Sequence, residues 1–181
     1  LPYDPIRDFA PVSLITKIPQ VLSVPPSPQV TTIKQFIEVA KDPKSKLSYG
    51  SAGNGTTGHL VAELLKKRAG IEMTHIPFKG SGPALSAFLS GDVGIMFSGP
   101  PAVLALAQAG RLRVLATSGV TRTPVLPDVP TFIESGLPID VTSWYCLVVP
   151  AGTPPAIVKR LHAALVDSLK SPQVADTLLK M

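Results

Sequence analysis

The chain has 181 residues, of which 45% are hydrophobic and 16% are charged, and its formal net charge is +5. This composition excludes an intrinsically disordered chain and predicts a globular one. The longest apolar runs fall far short of the ~20 residues that a membrane-spanning helix needs. The basic residues are scattered except for Lys66-Lys67-Arg68, which suits a solvated helix end better than a nucleic-acid patch. We therefore expect no nucleic-acid partner.

The termini and the cysteine usage bear on the context of the chain. Cys146 is the only cysteine, so no disulfide can form within the chain, and its apolar neighbours predict an inert core thiol. Residue 1 is leucine, and Met181 falls inside a helical pattern. We expect a fragment of a longer protein, trimmed at both ends, so the lack of a leader sequence does not count against export.

The N-terminal part predicts two strands, a stiff connector and one helix. Apolar runs at residues 11–18 and 20–24 are typical of strands, and the prolines of residues 25–28 resist helix formation. Thr32 and Gln35 have the spacing of a capping box and begin a helix. Lys41-Asp42-Pro43 ends it.

Residues 47–70 read LSYGSAGNGTTGHLVAELLKKRAG and carry the strongest chemical pattern in the chain. They predict a buried strand, a turn and a helix, at residues 46–49, 50–57 and 59–69. The predicted apolar face of the helix holds Leu60, Leu64 and Leu65. Gly70 is the expected C-cap, and the three cations of the last turn suit the helix dipole.

The turn at residues 50–57 predicts an anion site. Its glycines let a ligand approach the backbone, the first N–H groups of the next helix lack intrahelical partners, and Ser51, Thr56 and Thr57 add hydroxyl donors. The simpler alternative is a tight turn that Thr56 or Thr57 caps. Four glycines within nine residues, with three hydroxyls, exceed what a plain turn needs. A carboxylate, phosphate or sulfate is therefore the expected ligand.

Two nucleotide-binding motifs overlap this turn, and both are incomplete. Residues 53–58 match GxGxxG, but the next strand is followed by Lys79 instead of the expected acidic residue, and Glu72 precedes that strand. Residues 50–57 match GxxxxG followed by Thr-Thr, without the lysine of a P-loop. A nucleotide-binding enzyme is therefore the alternative function.

After Gly70, strands and helices alternate, including a helix at residues 100–109, which predicts parallel βαβ units in a parallel or mixed sheet. Ligands bind such sheets at the carboxyl ends of the strands. Three turns meet that condition, at residues 50–57, 79–82 and 98–101.

The C-terminal part predicts a return to the first part of the fold. A strand at residues 141–149 follows a proline-rich segment, and a helix at residues 156–169 precedes a second helix that Ser171 caps. Because proline-rich connectors bracket the βα core, we predict three parts: residues 1–26 and 141–181 as hinge strands with pieces of domain 1, and residues 27–140 as domain 2. Two connecting strands of this kind permit closure over a ligand.

Seven segments share the pattern of one protein family, in order along nearly the whole chain. They are YDPIRDFAPV at 3–12, LSYGSAGNGTTGHL at 47–60, PFKGSGPAL at 77–85, GDVGIMF at 91–97, AGRLRVLA at 109–116, PDVPTFIESG at 127–136 and VVPAGTPPAIVKRL at 148–161. Together they resemble the Bug family, the TctC-type solute-binding proteins of tripartite tricarboxylate transporters.

The resemblance implies an α/β fold of the type II periplasmic-binding-protein class, with two domains that close on a carboxylate-bearing metabolite. In that family one strand-to-helix loop from each domain grips a carboxylate. The second loop matches residues 50–59, and the first belongs to a segment expected before residue 1. This chain departs from the family at Ser98-Gly99 and at Trp144-Tyr145-Cys146. Both departures bear on which ligand is bound.

A few further side chains have two possible roles. His59 either donates to an anion or packs as a capping residue, whereas His75 and His162 are expected to be structural. Lys79 either pairs with a distal carboxylate of the ligand or is an exposed loop lysine. Trp144 either lines the cleft or packs in a core.

With this resemblance, we expect a monomeric, non-enzymatic protein that binds a small organic acid, and the resemblance implies a periplasmic location and delivery of the acid to membrane transporter subunits. A periplasmic sensor component is a further alternative. Neither a catalytic constellation nor metal-ligand spacing is present, so we expect no catalytic residue, metal or cofactor. The predicted ligand-binding residues are Ser51, Ala52, Gly53, Gly55, Thr56, Thr57, His59, Lys79, Gly80 and Ser98.

Overall fold

A computed structural model describes residues 2–42 and 44–180 of the chain. The strands are β1 (Phe9–Pro19), β2 (Val21–Val24), β3 (Ser48–Ser51), β4 (Thr74–Pro77), β5 (Ile95–Ser98), β6 (Arg113–Thr117) and β7 (Thr142–Pro150). The α-helices are α1 (Ile33–Ala40), α2 (Thr57–Ala69), α3 (Ser81–Ser90), α4 (Leu104–Gln108), α5 (Pro155–Leu169) and α6 (Pro172–Lys180). Within the described ranges, no helix has both the length and the apolar character to cross a membrane.

The chain divides into two compact units, one of which is Ile18–Ser143. This unit contains a five-stranded mixed sheet in the order β4-β3-β5-β2-β6. β3 pairs in parallel with β4 and β5, whereas β2 is antiparallel to β5 and β6. The carboxyl ends of β3, β4, β5 and β6 therefore lie along one edge, and the predicted α/β class is confirmed.

The predicted division into functional domains stays a prediction, although the structure places β2 in a different part of the fold from the one the sequence predicts. The sequence places residues 1–26 outside domain 2, yet β2 lies in the sheet of Ile18–Ser143. The physical reason is that β2 supplies the antiparallel ladder between β5 and β6, and all four of its residues are buried.

Helices cover both faces of this sheet, because neighbouring residues of each strand point to opposite sides. Leu22 and Phe97 pack in a cluster with residues of α1 and α2, whereas Val21 and Met96 pack in a second cluster with residues of α3. The alternation of side chains along β2 and β5 therefore separates two cores.

Local capping follows the sequence closely in α1 and α2. Thr32 and Gln35 form the predicted capping box of α1, and Gly70 ends α2 in the left-handed conformation at φ 64°. The end of α1 predicted at Lys41-Asp42-Pro43 agrees with a C-cap at Lys41, while Pro43 lies outside the described residues, as does Met181.

Two predictions about helices need correction. Leu60 is 53% exposed, because the buried side of α2 consists of Gly58, Val61, Ala62 and Leu65. The helix predicted at residues 100–109 is a 3-10 turn, Pro100–Ala102, followed by α4. Val103 separates the two pieces, because its backbone, at φ −122° and ψ −12°, is not helical.

The other unit comprises the residues on either side of Ile18–Ser143, with β1 and β7 paired in a two-stranded sheet and α5 and α6 following. Here the prediction of a buried Cys146 thiol is wrong, since Cys146 is exposed. Trp144 is 64% exposed, so it does not pack in a core. A two-stranded sheet has too few neighbours to bury both faces of β7.

Gly58 offers a test of the packing of α2 on β5. A Cβ at this position would lie 2.9 Å from the carbonyl oxygen of Phe97. We expect Gly58→Ala to destabilise the fold by about 1–3 kcal/mol through overpacking. Urea denaturation of the variant and the wild type measures the difference.

Gly82→Ala is the matched control, because Gly82 is also helical and has open space within 4 Å. Alanine favours helix, but its Cβ would crowd the ring of Pro83, so the stability should change by about 1 kcal/mol or less in either direction. A Gly58→Ala variant as stable as the wild type would show that α2 does not approach β5 this closely.

Candidate functional site

Two strand-to-helix loops meet at the carboxyl edge of the sheet. The loop between β3 and α2 is bonded to the loop between β4 and α3: Phe78 N–H donates to Ser51 O at 3.0 Å, and Gly80 N–H donates to Ala52 O at 3.1 Å. Gly53, Gly55 and Gly80 have φ values of 137°, 76° and 110°, which favour glycine. The structure thus brings together most of the predicted ligand-binding residues.

The first of these loops is shorter than the sequence predicts. Gly50 and Ser51 are the last residues of β3, and α2 begins at Thr57 instead of His59. Parallel pairing with β4 extends to Ser51, which is why the strand continues into the predicted turn.

Both helices that follow these loops begin without a side-chain cap. The N-cap residues are Thr56 for α2 and Gly80 for α3, and neither provides a capping hydrogen bond. Thr56 Oγ1 instead donates to Gly53 O at 2.7 Å, within the loop. Neither helix has an acidic residue in its first turn. The positive ends of two adjacent helix dipoles are therefore left without a neutralising side chain.

Ser51 lies beneath the loop and holds its shape. The residue is fully buried, its hydroxyl bonds to the N–H and the carbonyl of Gly53, and its Oγ lies 2.7 Å from His75 Nε2. Contact of Ser51 with a ligand stays a prediction, and the hydroxyl already has three partners.

Three rings stack beside the loop. The rings of Tyr49 and His75 have centroids 4.7 Å apart, and those of His75 and His59 are 4.1 Å apart, both nearly parallel. His59 Nδ1 accepts from Gly55 N–H at 3.0 Å. His59 therefore supports the loop from the first turn of α2, and the neutral ring carries its proton on Nε2.

Charged groups from α2 surround this stack. Tyr49 donates to Glu63 at 2.8 Å, and Lys66 pairs with the same carboxylate at 3.0 Å. Burial raises the pKa of Tyr49, with Glu63 adding to the effect. Burial also acts to raise the pKa of Glu63, but hydrogen bonds from Tyr49 and Lys66 outweigh it and leave that pKa lowered.

Two further predicted ligand-binding residues, Ser98 and Lys79, are not among the hydroxyl-bearing residues of the loop between β3 and α2. The side chain of Ser98 faces the cluster around α3, on the opposite side of the sheet from α2, and its buried Oγ has no hydrogen-bond partner among the described residues. Contact of Ser98 with a ligand stays a prediction. Lys79 is exposed, immediately before the N-cap of α3.

Sequence reasoning missed two residues next to the loop. Ser143 Oγ donates to Thr57 Oγ1 at 2.9 Å, and Gln20 Nε2 donates to Ser143 Oγ at 3.3 Å. These partners are 86 and 123 positions apart in the chain. No local pattern could have indicated them.

The described residues contain no group of three or more His, Cys, Asp or Glu side chains that could hold a metal ion. The strand after the GxGxxG turn, β4, ends at Pro77 and is followed by Phe78 and Lys79. The edge thus lacks the carboxylate that holds a ribose in dinucleotide-binding folds.

The family is shown by comparison with known proteins. The model of the TctC family, the tripartite tricarboxylate transporter family receptor, matches residues 1–181. The chain belongs to this family, and the predicted resemblance is confirmed.

Relatives of known sequence agree. The chain is 38% identical over 183 residues to a Pseudomonas sp. strain P51 protein, the UPF0065 protein in the tcbD-tcbE intergenic region. It is 33% identical over 177 residues to protein BugT of Bordetella pertussis. These matches cover 100% and 97% of this chain, but 54% of each relative. The chain thus spans about half the length of these relatives.

Solved structures of relatives have the same fold. Rpa4515 of R. palustris, solved with adipate, is 37% identical with a TM-score of 0.86, over 98% of this chain and 60% of that one. MatC of Rhodopseudomonas palustris, solved with bound malate, is 32% identical with a TM-score of 0.82, over 98% and 61%.

The stacked histidines predict a dependence of stability on pH. Burial lowers the pKa of His75, and the neighbouring His59 lowers it further. The unfolded chain therefore takes up this proton more readily than the folded chain. The stability that His75 contributes is complete above its ordinary pKa of 6.5 and is lost as the pH falls below 6.5.

Denaturation by urea at about pH 7.5 and about pH 5.5 measures this effect. The loss of stability on acidification should be smaller in His75→Gln than in the wild type. His162→Gln, at an exposed position of α5, should keep the wild-type loss. Equal losses in His75→Gln and the wild type would contradict the interpretation.

Proposed function

We propose that the protein to which this chain belongs is a periplasmic solute-binding protein. It binds a carboxylate-bearing metabolite and delivers it to a tripartite tricarboxylate-type membrane transporter. The observation that carries the proposal is the pair of adjacent, uncapped helix N-termini at the carboxyl edge of β3 and β4. Capture between two domains, as the resemblance implies, is part of the same proposal.

The chemistry of the loops suits an anion. The first-turn N–H groups of α2 and α3 can donate to carboxylate oxygens, and the hydroxyl of Thr57 lies in the first turn of α2. Hydrogen bonds to a charged group contribute about 1.5–3 kcal/mol each when water is excluded. Two or three such bonds explain why a receptor leaves these helix ends without an acidic side chain.

Lys79 is the proposed partner for the part of the ligand that lies beyond the carboxylate bound by the two loops. In residues 52–58 and 78–83, Lys79 is the only charged side chain. Its exposure next to Gly80 leaves the ammonium free to reach a carboxylate beyond the loop. Since two relatives were solved with adipate and malate, both dicarboxylates, we propose a dicarboxylate ligand.

Transport is the proposed role, because the family is that of transporter receptors. The proposal does not require catalysis, and the protein is proposed to act as a monomer that contacts its transporter transiently. A nucleotide-binding enzyme would need a ribose-binding carboxylate after β4, and no such residue follows that strand.

Calorimetry with the complete natural protein tests carboxylate binding. Adipate and malate should bind, and NAD and ATP should not. Gly53→Ala should weaken both acids by about tenfold or more, because Gly53 has a φ of 137° and its Cβ would lie 3.3 Å from the carbonyl oxygen of Phe78. Stabilisation of the protein by a nucleotide alone would reject the proposal.

Gly136→Ala is the control for backbone strain. Gly136 also has a positive φ, of 85°, but lies outside the two loops. Its replacement should lower thermal stability and leave the affinity for adipate unchanged. Equal losses of affinity in the Gly53 and Gly136 variants would show that general destabilisation, and not the loop, causes the effect.

Lys79 is expected to set preference among carboxylates. Lys79→Gln should weaken adipate by about fivefold and leave hexanoate, which has the same chain length and one carboxylate, nearly unchanged. Lys67→Gln, an exposed cation near the far end of α2, serves as the control. If Lys79→Gln weakens adipate and hexanoate equally, Lys79 does not contact the second carboxylate of the ligand.

A further inference from the structure

The hydrogen bonds around Thr57 form a chain with a direction. A glutamine amide nitrogen can only donate, so Ser143 Oγ accepts from Gln20 Nε2 at 3.3 Å. Ser143 Oγ in turn donates a hydrogen bond to Thr57 Oγ1 at 2.9 Å. Because Thr57 Oγ1 accepts in this chain, the proton of its hydroxyl stays available for another acceptor.

Gln20 is held firmly enough to set this direction. Gln20 is only 7% exposed. Its backbone N–H donates to Ser118 Oγ at 2.8 Å, and its carbonyl oxygen accepts from Ser118 N–H at 2.9 Å, directly after β6. Ser118 also bonds to both backbone groups of Val141, two residues before Ser143. The donor and the relaying hydroxyl are therefore fixed from the same point of the sheet.

These three residues also come from different parts of the chain. Gln20 lies between β1 and β2, Ser143 lies in β7, and Thr57 is the first residue of α2. Gly58, the next residue of α2, packs so closely that its Cβ would lie 3.4 Å from Gln20 Oε1. The amide of Gln20 is thus held against the first turn of α2.

We infer that Gln20 and Ser143 are positioning residues of the carboxylate site. They fix the hydroxyl of Thr57 as a hydrogen-bond donor to the anionic oxygen of the ligand. This inference rests on the proposed function and adds to it two residues that do not themselves touch the ligand. Hydrogen bonds in series polarise one another, so a donor at the end of such a chain binds an anion more strongly than an isolated hydroxyl.

The test is a double-mutant cycle in the complete natural protein, with adipate and malate as probes in calorimetry. Thr57→Val keeps the shape of the side chain and removes the hydroxyl, so both acids should weaken by about tenfold. Ser143→Ala should weaken them by about three- to tenfold, and Gln20→Met by less. Ser143→Thr, which keeps a hydroxyl, should retain most of the wild-type affinity.

The coupling between the effects of Ser143→Ala and Thr57→Val on affinity distinguishes a positioning role of Ser143 from a purely structural one. If Ser143 acts through Thr57, adding Ser143→Ala to Thr57→Val should cause no further loss beyond about twofold. Ser135→Ala, which removes a partly buried hydroxyl that bonds to Thr131 O, is the control and should lower only thermal stability. Additive losses, or wild-type affinity in Ser143→Ala, would overturn the inference.

Failure of the proposed function gives a different result. If the wild-type protein binds neither acid, the function and the inference that rests on it both fall. If the wild type binds and Thr57→Val binds equally well, the carboxylate site stands and only the role of the Gln20–Ser143–Thr57 chain is rejected.

Discussion

The close packing of α2 on β5 is the constraint on which the candidate site depends. Only a glycine at residue 58 lets the first turn of α2 come within contact of the Phe97 carbonyl and the Gln20 side chain. That approach places Thr57 within reach of Ser143 and orients the N-terminal end of the helix along the carboxyl edge of β3. A larger residue would push the helix outward, and the helix end, the loop and the hydroxyl would move with it.

The helix N-termini at the candidate site differ from the N-terminus of α1. Ordinary helices gain from a capping side chain or an acidic first turn, and α1 of this chain has a complete capping box. α2 and α3 have neither feature. α4 and α5 also lack both features, so what distinguishes α2 and α3 is that the loops before them meet at one edge of the sheet, where a single anion could accept from both helix ends.

The loop between β3 and α2 is organised before any ligand arrives. Ser51 bonds the backbone of Gly53 from below, and His59 accepts the N–H of Gly55. The stack of Tyr49, His75 and His59 then supports this arrangement with apolar contact. A loop fixed in this way loses little conformational entropy on binding, so more of the hydrogen-bond energy is available for affinity.

The sequence by itself determined the features that depend on neighbouring residues. The capping box of Thr32 and Gln35, the C-cap at Gly70 and the order of strands and helices all follow from patterns within about a dozen positions. Only the tertiary structure decided which residues meet: β2 joined the central sheet, and Cys146 was exposed. Gln20 and Ser143 reached Thr57 in the same way. Such contacts depend on strand pairing and helix packing between distant segments, and the local spacing of residues contains no information about them.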